Sequence, residues 1–448
     1  MPTVSDIFSD YLYGFHTSGI LQKDLEKAKA CLKDYLGVTI GGANALFSKH
    51  PDICFLLEGA SGESSVIGTG KNSSLLNAAL INGISSHYLE LDDGFRFGMV
   101  HPGTVIFSAL LPLVELKKIS GLEFLKATVL AYEACLRLSK AMQPRLKEKG
   151  LHATGVVAGV GAALGVGFAL GYSKDQLKSV LAAAATSSSG ILEVIRDESQ
   201  LKPFNSGQAA MNGLAAGLSG KANMMGPNDV LGGSQGFFFV NSDASGVDTL
   251  MEESSEAFIH SIYVKPYAAC RHAHAPVEAA LYLKEEHGLD VEMIESVSVE
   301  TYKFAVVLHD HQEVGSPASA KMSTPYAVAA ALVFGKVGME QFKEEAVKDE
   351  RVQTLCKKVS VYESAELSAQ VPAKRAAIVR IGLKGNLTVE HKIDFPKGEP
   401  ENPMSNIEMD DKFSSLMDFA GVSNTAQEEI LTIVDSLEDR MKELFDYL

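Results

Sequence analysis

Val156-Val-Ala-Gly-Val-Gly-Ala-Ala-Leu-Gly-Val-Gly-Phe-Ala-Leu-Gly171 is an apolar run in which glycine and alanine recur every few residues. A helix that is apolar on every side has to be buried, and small side chains let its neighbours approach closely. The run therefore reads as the central helix of a large bundle. Extended through Tyr172 it is only marginally long enough to span a bilayer, and its glycine content favours a buried helix over a membrane span. Thr154 is the expected N-cap ahead of it. Behind it, Ser173-Lys-Asp-Gln176 matches a capping box that opens another helix through Leu181-Ala-Ala-Ala-Ala185.

Outward from this centre the first 262 residues repeat apolar positions at helical spacing. Asp24 to Leu36, Leu75 to Leu91 and Gly121 to Met142 are amphipathic segments, and an alanine- and glycine-rich helix follows Asn205-Ser206. Near residue 263 the pattern changes. Val291 to Tyr302 and Val359 to Tyr362 alternate as strands do, and Ala376 to Phe395 reads as two strands joined at Lys384-Gly385-Asn386. Helices are interspersed, one starting near Pro276 and one after Thr324 with Pro325 at its first position. The predicted fold is α+β: an all-helical domain over 1–262, completed by 401–448, and a smaller α+β domain over 263–400. The amphipathic tail from Asp411 onward returns to the first domain in this reading.

At 448 residues the chain exceeds one ordinary core, so two domains are the starting expectation. A net charge of −16 argues against nucleic acid or an anionic membrane as partner, so an anionic ligand has to be drawn by a local cluster of cations. Cys31, Cys54, Cys135, Cys270 and Cys356 are widely spaced and form no CxxC pair, which excludes a zinc ribbon, an iron–sulfur cradle and a disulfide framework. That usage fits a reducing, cytoplasmic location. The acidic residues near Met1 do not resemble an export signal.

Residues 87–102, His-Tyr-Leu-Glu-Leu-Asp-Asp-Gly-Phe-Arg-Phe-Gly-Met-Val-His-Pro, concentrate proton-transfer groups. If the preceding helix runs through Asp93, then His87, Glu90 and Asp93 share one face, and His101-Pro102 closes the loop after it. Other polar residues stand in unusual settings. Lys202 precedes a helix N-terminus, where backbone N–H groups favour anions. Lys265 leads a segment that also holds Tyr267, Arg271, His272 and His274, His152 stands two residues before a cap, and Tyr326 falls in the first turn of a helix. Together these suggest a polyanion site with two imidazoles for acid–base work. Nucleotide signatures fail on context: Gly159-Val-Gly161 lies inside a helix with no strand before it, and Gly68-Thr-Gly-Lys71 lacks the rest of a P-loop. His272-Ala-His274 and His309-Asp-His311 have no third ligand at helpful spacing, so no metal is expected.

Glu90-Leu-Asp-Asp93 with His101-Pro-Gly103, Gly150-Leu-His-Ala-Thr-Gly155, Leu201-Lys-Pro-Phe-Asn-Ser-Gly207, Lys265-Pro-Tyr267, Lys321-Met-Ser-Thr-Pro-Tyr326 and Pro403-Met-Ser405 occur in the order and rough spacing of the MmgE/PrpD family, and the chain resembles that family over nearly its whole length. The family includes 2-methylcitrate dehydratase, cis-aconitate decarboxylase and iminodisuccinate epimerase. The resemblance implies a large helical domain with a smaller α+β lid domain, a homodimer, an active site between the domains and no metal or organic cofactor. It assigns catalytic roles to His101, His152, Lys202, Lys265 and Tyr326. Glu90, Asp93, Cys270, Arg271 and His274 are expected to contact the substrate. Two departures stand out: Glu90 and Gly94 flank the Asp-Asp pair where the decarboxylase and dehydratase carry an aspartate and a threonine, and Cys270 stands where the decarboxylase has a histidine.

The shared chemistry of such enzymes is breaking a bond next to a carboxylate, which requires an acid–base pair and cations around a developing negative charge. The expectation is a cofactor-independent lyase of the dehydratase type acting on a di- or tricarboxylate. An epimerase of a substituted dicarboxylate such as iminodisuccinate is the alternative within the same chemistry. A non-catalytic carboxylate-binding protein is the alternative outside it, though a pure binder has no need of two histidines.

Overall fold

In the computed structural model, which describes residues 1–58, 61–196, 199–243 and 247–448, the chain divides into two compact units. One comprises Met1–Val194, Leu201–Ile262 and Asn406–Leu448, and the other comprises Ile195–Gln200 and Tyr263–Ser405.

The first unit is built from α1 (Gln22–Lys49), α2 (Leu75–Tyr88), α3 (Gly103–Lys117), α4 (Gly121–Met142), α5 (Gly159–Ala169), α6 (Lys174–Thr186) and α7 (Lys202–Ser219). A small antiparallel hairpin of β1 (Ser64–Val66) and β2 (Lys71–Ser73) precedes α2. Capping boxes open α4 at Ser120 with Glu123 and α6 at Ser173 with Gln176, so these starts are set by local sequence. Every residue of α5 except Ala169 is buried. Its glycines are needed for contact: a Cβ on Gly161 would lie 2.6 Å from the Ala131 carbonyl of α4, and one on Gly159 would lie 2.9 Å from the Ala209 carbonyl of α7. No helix among the described residues is long and apolar enough to cross a membrane.

The expected cap at Thr154 does not form. The backbone is already helical through Thr154–Ala158, and the Thr154 hydroxyl instead accepts the His101 N–H at 3.1 Å. The Leu75 helix also stops earlier than the periodicity suggests. It ends at Tyr88, and Glu90 adopts a left-handed φ of 58°, which turns the chain away from the helix axis. The three-residue face of His87, Glu90 and Asp93 therefore does not exist. The segment assembles through the turn instead.

In the second unit β3 (Ile294–Thr301) lies between β4 (Val359–Glu363), to which it is parallel, and β5 (Ala377–Leu383), to which it is antiparallel; β6 (Leu387–Ile393) pairs antiparallel with β5 at the edge. The β5–β6 hairpin turns at Lys384-Gly385-Asn386, where Gly385 and Asn386 both take positive φ. Strand β5 alternates buried and half-buried positions, whereas β6 has no buried residue. The longer helices of this unit are α8 (His274–His287) and α9 (Thr324–Phe334), and Tyr282 of α8 stacks on His391 of β6 with ring centroids 3.8 Å apart. The tail folds as α10 (Asn406–Phe419), α11 (Asn424–Asp435) and α12 (Leu437–Leu444), and these pack with the first unit.

Candidate active site

Two helices set up the polar centre of the first unit. At their crossing, a Cβ on Gly83 of α2 would lie 2.7 Å from the Gly207 Cα, and one on Gly207 of α7 would lie 2.3 Å from the Leu80 carbonyl. Only glycine permits so close an approach. The chain leaving the C-terminal end of α2 thereby meets the N-terminal turn of α7, and Lys202, at the first position of α7 rather than in a loop ahead of it, forms an ion pair with Glu90. Glu90 is nearly enclosed and Lys202 only slightly accessible, so the pair is largely shielded from solvent. Glu90, expected at the substrate, is the ion-pair partner of Lys202 in this structure.

Asp92 is the junction that sequence reasoning missed. Its Oδ2 lies 2.7 Å from His87 Nδ1 and 3.3 Å from His101 Nδ1. His101 Nδ1 is also 2.7 Å from the Asp93 carbonyl. A carbonyl can only accept, so His101 carries a proton on Nδ1, and in the neutral ring Nε2 is the lone pair, the state of a general base. A carboxylate behind Nδ1 stabilises the imidazolium that forms when Nε2 takes a proton. His101 is 14% exposed at its side chain, while Asp92 and His87 are enclosed at 2% and 0%. His87 Nε2 is buried without a hydrogen-bond partner, 3.9 Å from Glu90 Oε1. The sequence signal for Asp92 was the Asp-Asp pair, which does not say which carboxylate faces the imidazoles.

Asp93, expected at the substrate, is spent on the fold. Its Oδ1 accepts the Gly103 N–H at 3.0 Å, and its Oδ2 accepts the Tyr132 hydroxyl at 2.7 Å. Burial pushes its carboxyl up to about 7 against a pull downward from Tyr132. It pins the loop that carries His101 to the start of α3.

His152 differs from His101 in its electrostatics. Its ring lies 6.4 Å from that of His87, and its Nδ1 accepts from the Asn205 amide nitrogen at 3.2 Å. Burial, then the Lys202 and His87 charges, push its pKa down to about 3. It is therefore a neutral imidazole whose proton resides on Nε2. Such a ring serves as a hydrogen-bond donor to a developing oxyanion, a use of neutral histidine in enolisation sites. Asn205 was missed because a polar residue in the first turn of a helix looks like an ordinary exposed position.

The second unit holds the remaining predicted residues, and most are engaged within it. Arg271 is buried and directs Nε and Nη2 to Glu399 Oε1, at 3.2 and 3.0 Å, with further bonds to the Lys397 and Pro396 carbonyls. It also donates to His274 Nδ1 at 2.9 Å, which leaves His274 Nε2 to donate to the Ala269 carbonyl. Arg271 and His274, expected at the substrate, thus form an internal staple. Tyr326, expected to be catalytic, is fully buried and donates its hydroxyl to the Gln341 carbonyl at 2.6 Å; burial raises its pKa. Lys265 is completely enclosed. Cys270 Sγ lies 4.0 Å from His309 Nε2.

Two groups among the described residues place three ligand-type atoms within 4.8 Å of one another: His87, Asp92 and His101 in the first unit, and Cys270, His272 and His309 in the second. In the first, both Nδ1 atoms face the same carboxylate oxygen at hydrogen-bonding range. The second joins residues from both HxH segments. His309 lies 37 residues beyond His272 in sequence, a separation no short pattern reveals.

Residues 6–249 match the MmgE/PrpD N-terminal domain and residues 267–439 the MmgE/PrpD C-terminal domain. The chain is 26% identical over 416 residues to cis-aconitate decarboxylase-like protein oryM of Aspergillus oryzae, covering 88% of this chain and 86% of that one. It is 24% identical over 464 residues to cis-aconitate decarboxylase of Mus musculus, covering 98% and 91%. It is 25% identical over 223 residues to 2-methylcitrate dehydratase of Escherichia coli O157:H7, covering 47% and 46%.

Proposed function

The chain belongs to the MmgE/PrpD family, whose relatives here are lyases and dehydratases, and from that premise we propose that it is a lyase of the dehydratase type, removing a proton next to a carboxylate of a di- or tricarboxylate. The observation that carries this reading is the pairing of His101, held by Asp92 and the Asp93 carbonyl with Nε2 as a lone pair, with the neutral His152. The first is built to take a proton. The second is built to donate a hydrogen bond without losing one.

In this mechanism His101 Nε2 removes the proton α to a carboxylate, and the Asp92 carboxylate offsets the positive charge that appears on the ring. The electron pair moves toward the adjacent carboxylate, forming an enediolate-like state. His152 Nε2–H and the Lys202 ammonium stabilise the added negative charge, electrostatic work that is most effective in a shielded site. Collapse of that state expels a β-hydroxyl as water once His101, now protonated, returns its proton to the leaving group.

Gly94 and Cys270 support a substrate other than cis-aconitate, although the relatives matched over most of the chain are decarboxylases of that acid. A glycine offers no hydroxyl and a thiol offers no imidazole, and sites built on polar contacts discriminate strongly when one is missing. The test is proton exchange. Citrate, methylcitrate, aconitate, malate and aspartate-like acids are incubated with the protein in deuterated water and followed by NMR. Exchange at the α carbon of at least one acid, lost in His101→Ala, is expected. An absence of exchange for all of them, with binding retained, would point to a carboxylate-binding protein.

A further inference from the structure

We propose that Cys270, His272 and His309 form a binding site for one zinc-like divalent metal ion in the second unit. The site shares no residue with the acid–base groups of the first unit, but it includes Cys270, the position read above as bearing on specificity.

The donor set is one that borderline-soft metals favour, a thiol with two imidazoles. The three donor atoms lie within 4.8 Å of one another, and Cys270 Sγ is 4.0 Å from His309 Nε2. A tetrahedral ion with Zn–S of about 2.3 Å and Zn–N of about 2.0–2.1 Å places such a sulfur and nitrogen roughly 3.5 Å apart. The Cys270–His309 pair therefore needs to close by about half an ångström, and the remaining pairs, all within 4.8 Å, by at most about 1.4 Å.

Both imidazoles are already oriented from behind. His309 Nδ1 donates to the Met322 carbonyl at 2.8 Å, and since a carbonyl only accepts, Nε2 is left as the lone pair that faces the sulfur. His272 Nδ1 lies 2.6 Å from the Tyr302 hydroxyl, a buried phenol whose ring packs on the same imidazole. Outer contacts of this kind fix the ring orientation of metal-binding histidines. The two imidazoles are tilted neighbours with centroids 5.0 Å apart.

The backbone is equally fixed. Cys270 N–H donates to the Lys321 carbonyl at 2.8 Å, and the His309 carbonyl accepts the Thr324 N–H at 2.8 Å, so both ligand-bearing loops are tied to the segment leading into α9. Arg271, next in sequence to Cys270, is neutralised by Glu399 and turned toward it. Cys270 and His272 are half-buried while His309 is buried, which gives an ion a route in from one side. On binding, the thiol releases its proton and the site becomes a thiolate with two neutral imidazoles.

The test is titration of chelator-stripped full-length protein with Co2+. One equivalent per chain is expected to give a sulfur-to-cobalt charge-transfer absorption in the near ultraviolet together with visible bands of four-coordinate intensity, and Zn2+ should displace it. Cys270→Ser should abolish the sulfur band. Tyr302→Phe should keep the band but weaken affinity by about 10- to 100-fold, the usual cost of losing an outer contact. His311→Ala is the control, because His311 bonds to Ser319 and lies outside the donor set. Thermal unfolding of each variant separates loss of the site from loss of the fold. A missing sulfur band at stoichiometric cobalt, or one that survives Cys270→Ser, overturns the proposal; the first unit's His87, Asp92 and His101 contain no sulfur and cannot produce it.

Discussion

Replacing His152 by Asn tests the electrostatics of the site directly. Asn keeps an acceptor near the position of His152 Nδ1, able to receive the Asn205 amide, but it cannot titrate and has no Nε2. His152 is held neutral down to about pH 3, against an ordinary value of 6.5, because burial and the Lys202 charge disfavour its cation. In the unfolded chain the ring takes up a proton near 6.5; in the fold it does not until about 3. Its contribution to stability is therefore complete above pH 6.5 and is lost progressively as pH falls toward 3. At about 1.4 kcal/mol per pH step, this amounts to roughly 5 kcal/mol at the acid end. Denaturant unfolding of the wild type and His152→Asn at a series of pH values from 7 downward reads the term, because titrating groups not coupled to His152 cancel in the difference. The wild type should lose stability relative to the variant by several kcal/mol as pH falls. Selective labelling of histidine rings gives a second readout, in which the His152 signal should not titrate near 6.5. A stability difference that is independent of pH, or a ring that titrates normally, would refute the assignment of His152 as a neutral donor, and with it the division of labour between the two histidines.

Asp92→Asn removes the charge behind His101 and should lower kcat/KM by about 10- to 150-fold, the worth of a charge-assisted hydrogen bond of roughly 1.5–3 kcal/mol. The acid limb of its pH profile should move to lower pH, and a profile that stays in place with near-normal activity would remove Asp92 from the mechanism. Asp93 has a folded value of about 7 above its ordinary 3.8, so its contribution is complete below about pH 4 and is lost as pH rises through 7. Tyr132→Phe deletes the hydroxyl that supports the carboxylate form, and should cost more stability at pH 8 than at pH 5; equal losses would assign Tyr132 to packing alone. Arg271→Ala should destabilise by about 3–5 kcal/mol, since it leaves Glu399 buried without its cation; a variant with full stability and a raised KM would restore Arg271 as a substrate contact. With cis-aconitate, no itaconate should form, and carbon dioxide release comparable to turnover on any other acid would show that Gly94 and Cys270 do not set specificity.

Features that depend on near neighbours along the chain were legible from residues alone. Ser173 and Gln176 close a capping box, Gly121 and Met142 bound a helix, Lys384-Gly385-Asn386 turns a hairpin, and Val156–Phe168 of the glycine-rich run is buried as its composition requires. Each follows from backbone geometry and side-chain pattern within a few residues. His101, His152 and Lys202 could be singled out because each is an ionisable residue beside a loop or a helix start. Their working states could not. The ion pair of Glu90 with Lys202 joins positions 112 residues apart. The choice of Asp92 over Asp93 as the partner of the imidazoles rests on a left-handed residue after α2. The neutrality of His152 comes from desolvation, which exists only once the surrounding helices have closed. Cys270, His272 and His309 meet because two loops are tied to the same segment before α9. Periodicity records which face of an element is apolar, and composition records which charges are present. Which charge faces which, and with how little water between them, is decided by packing.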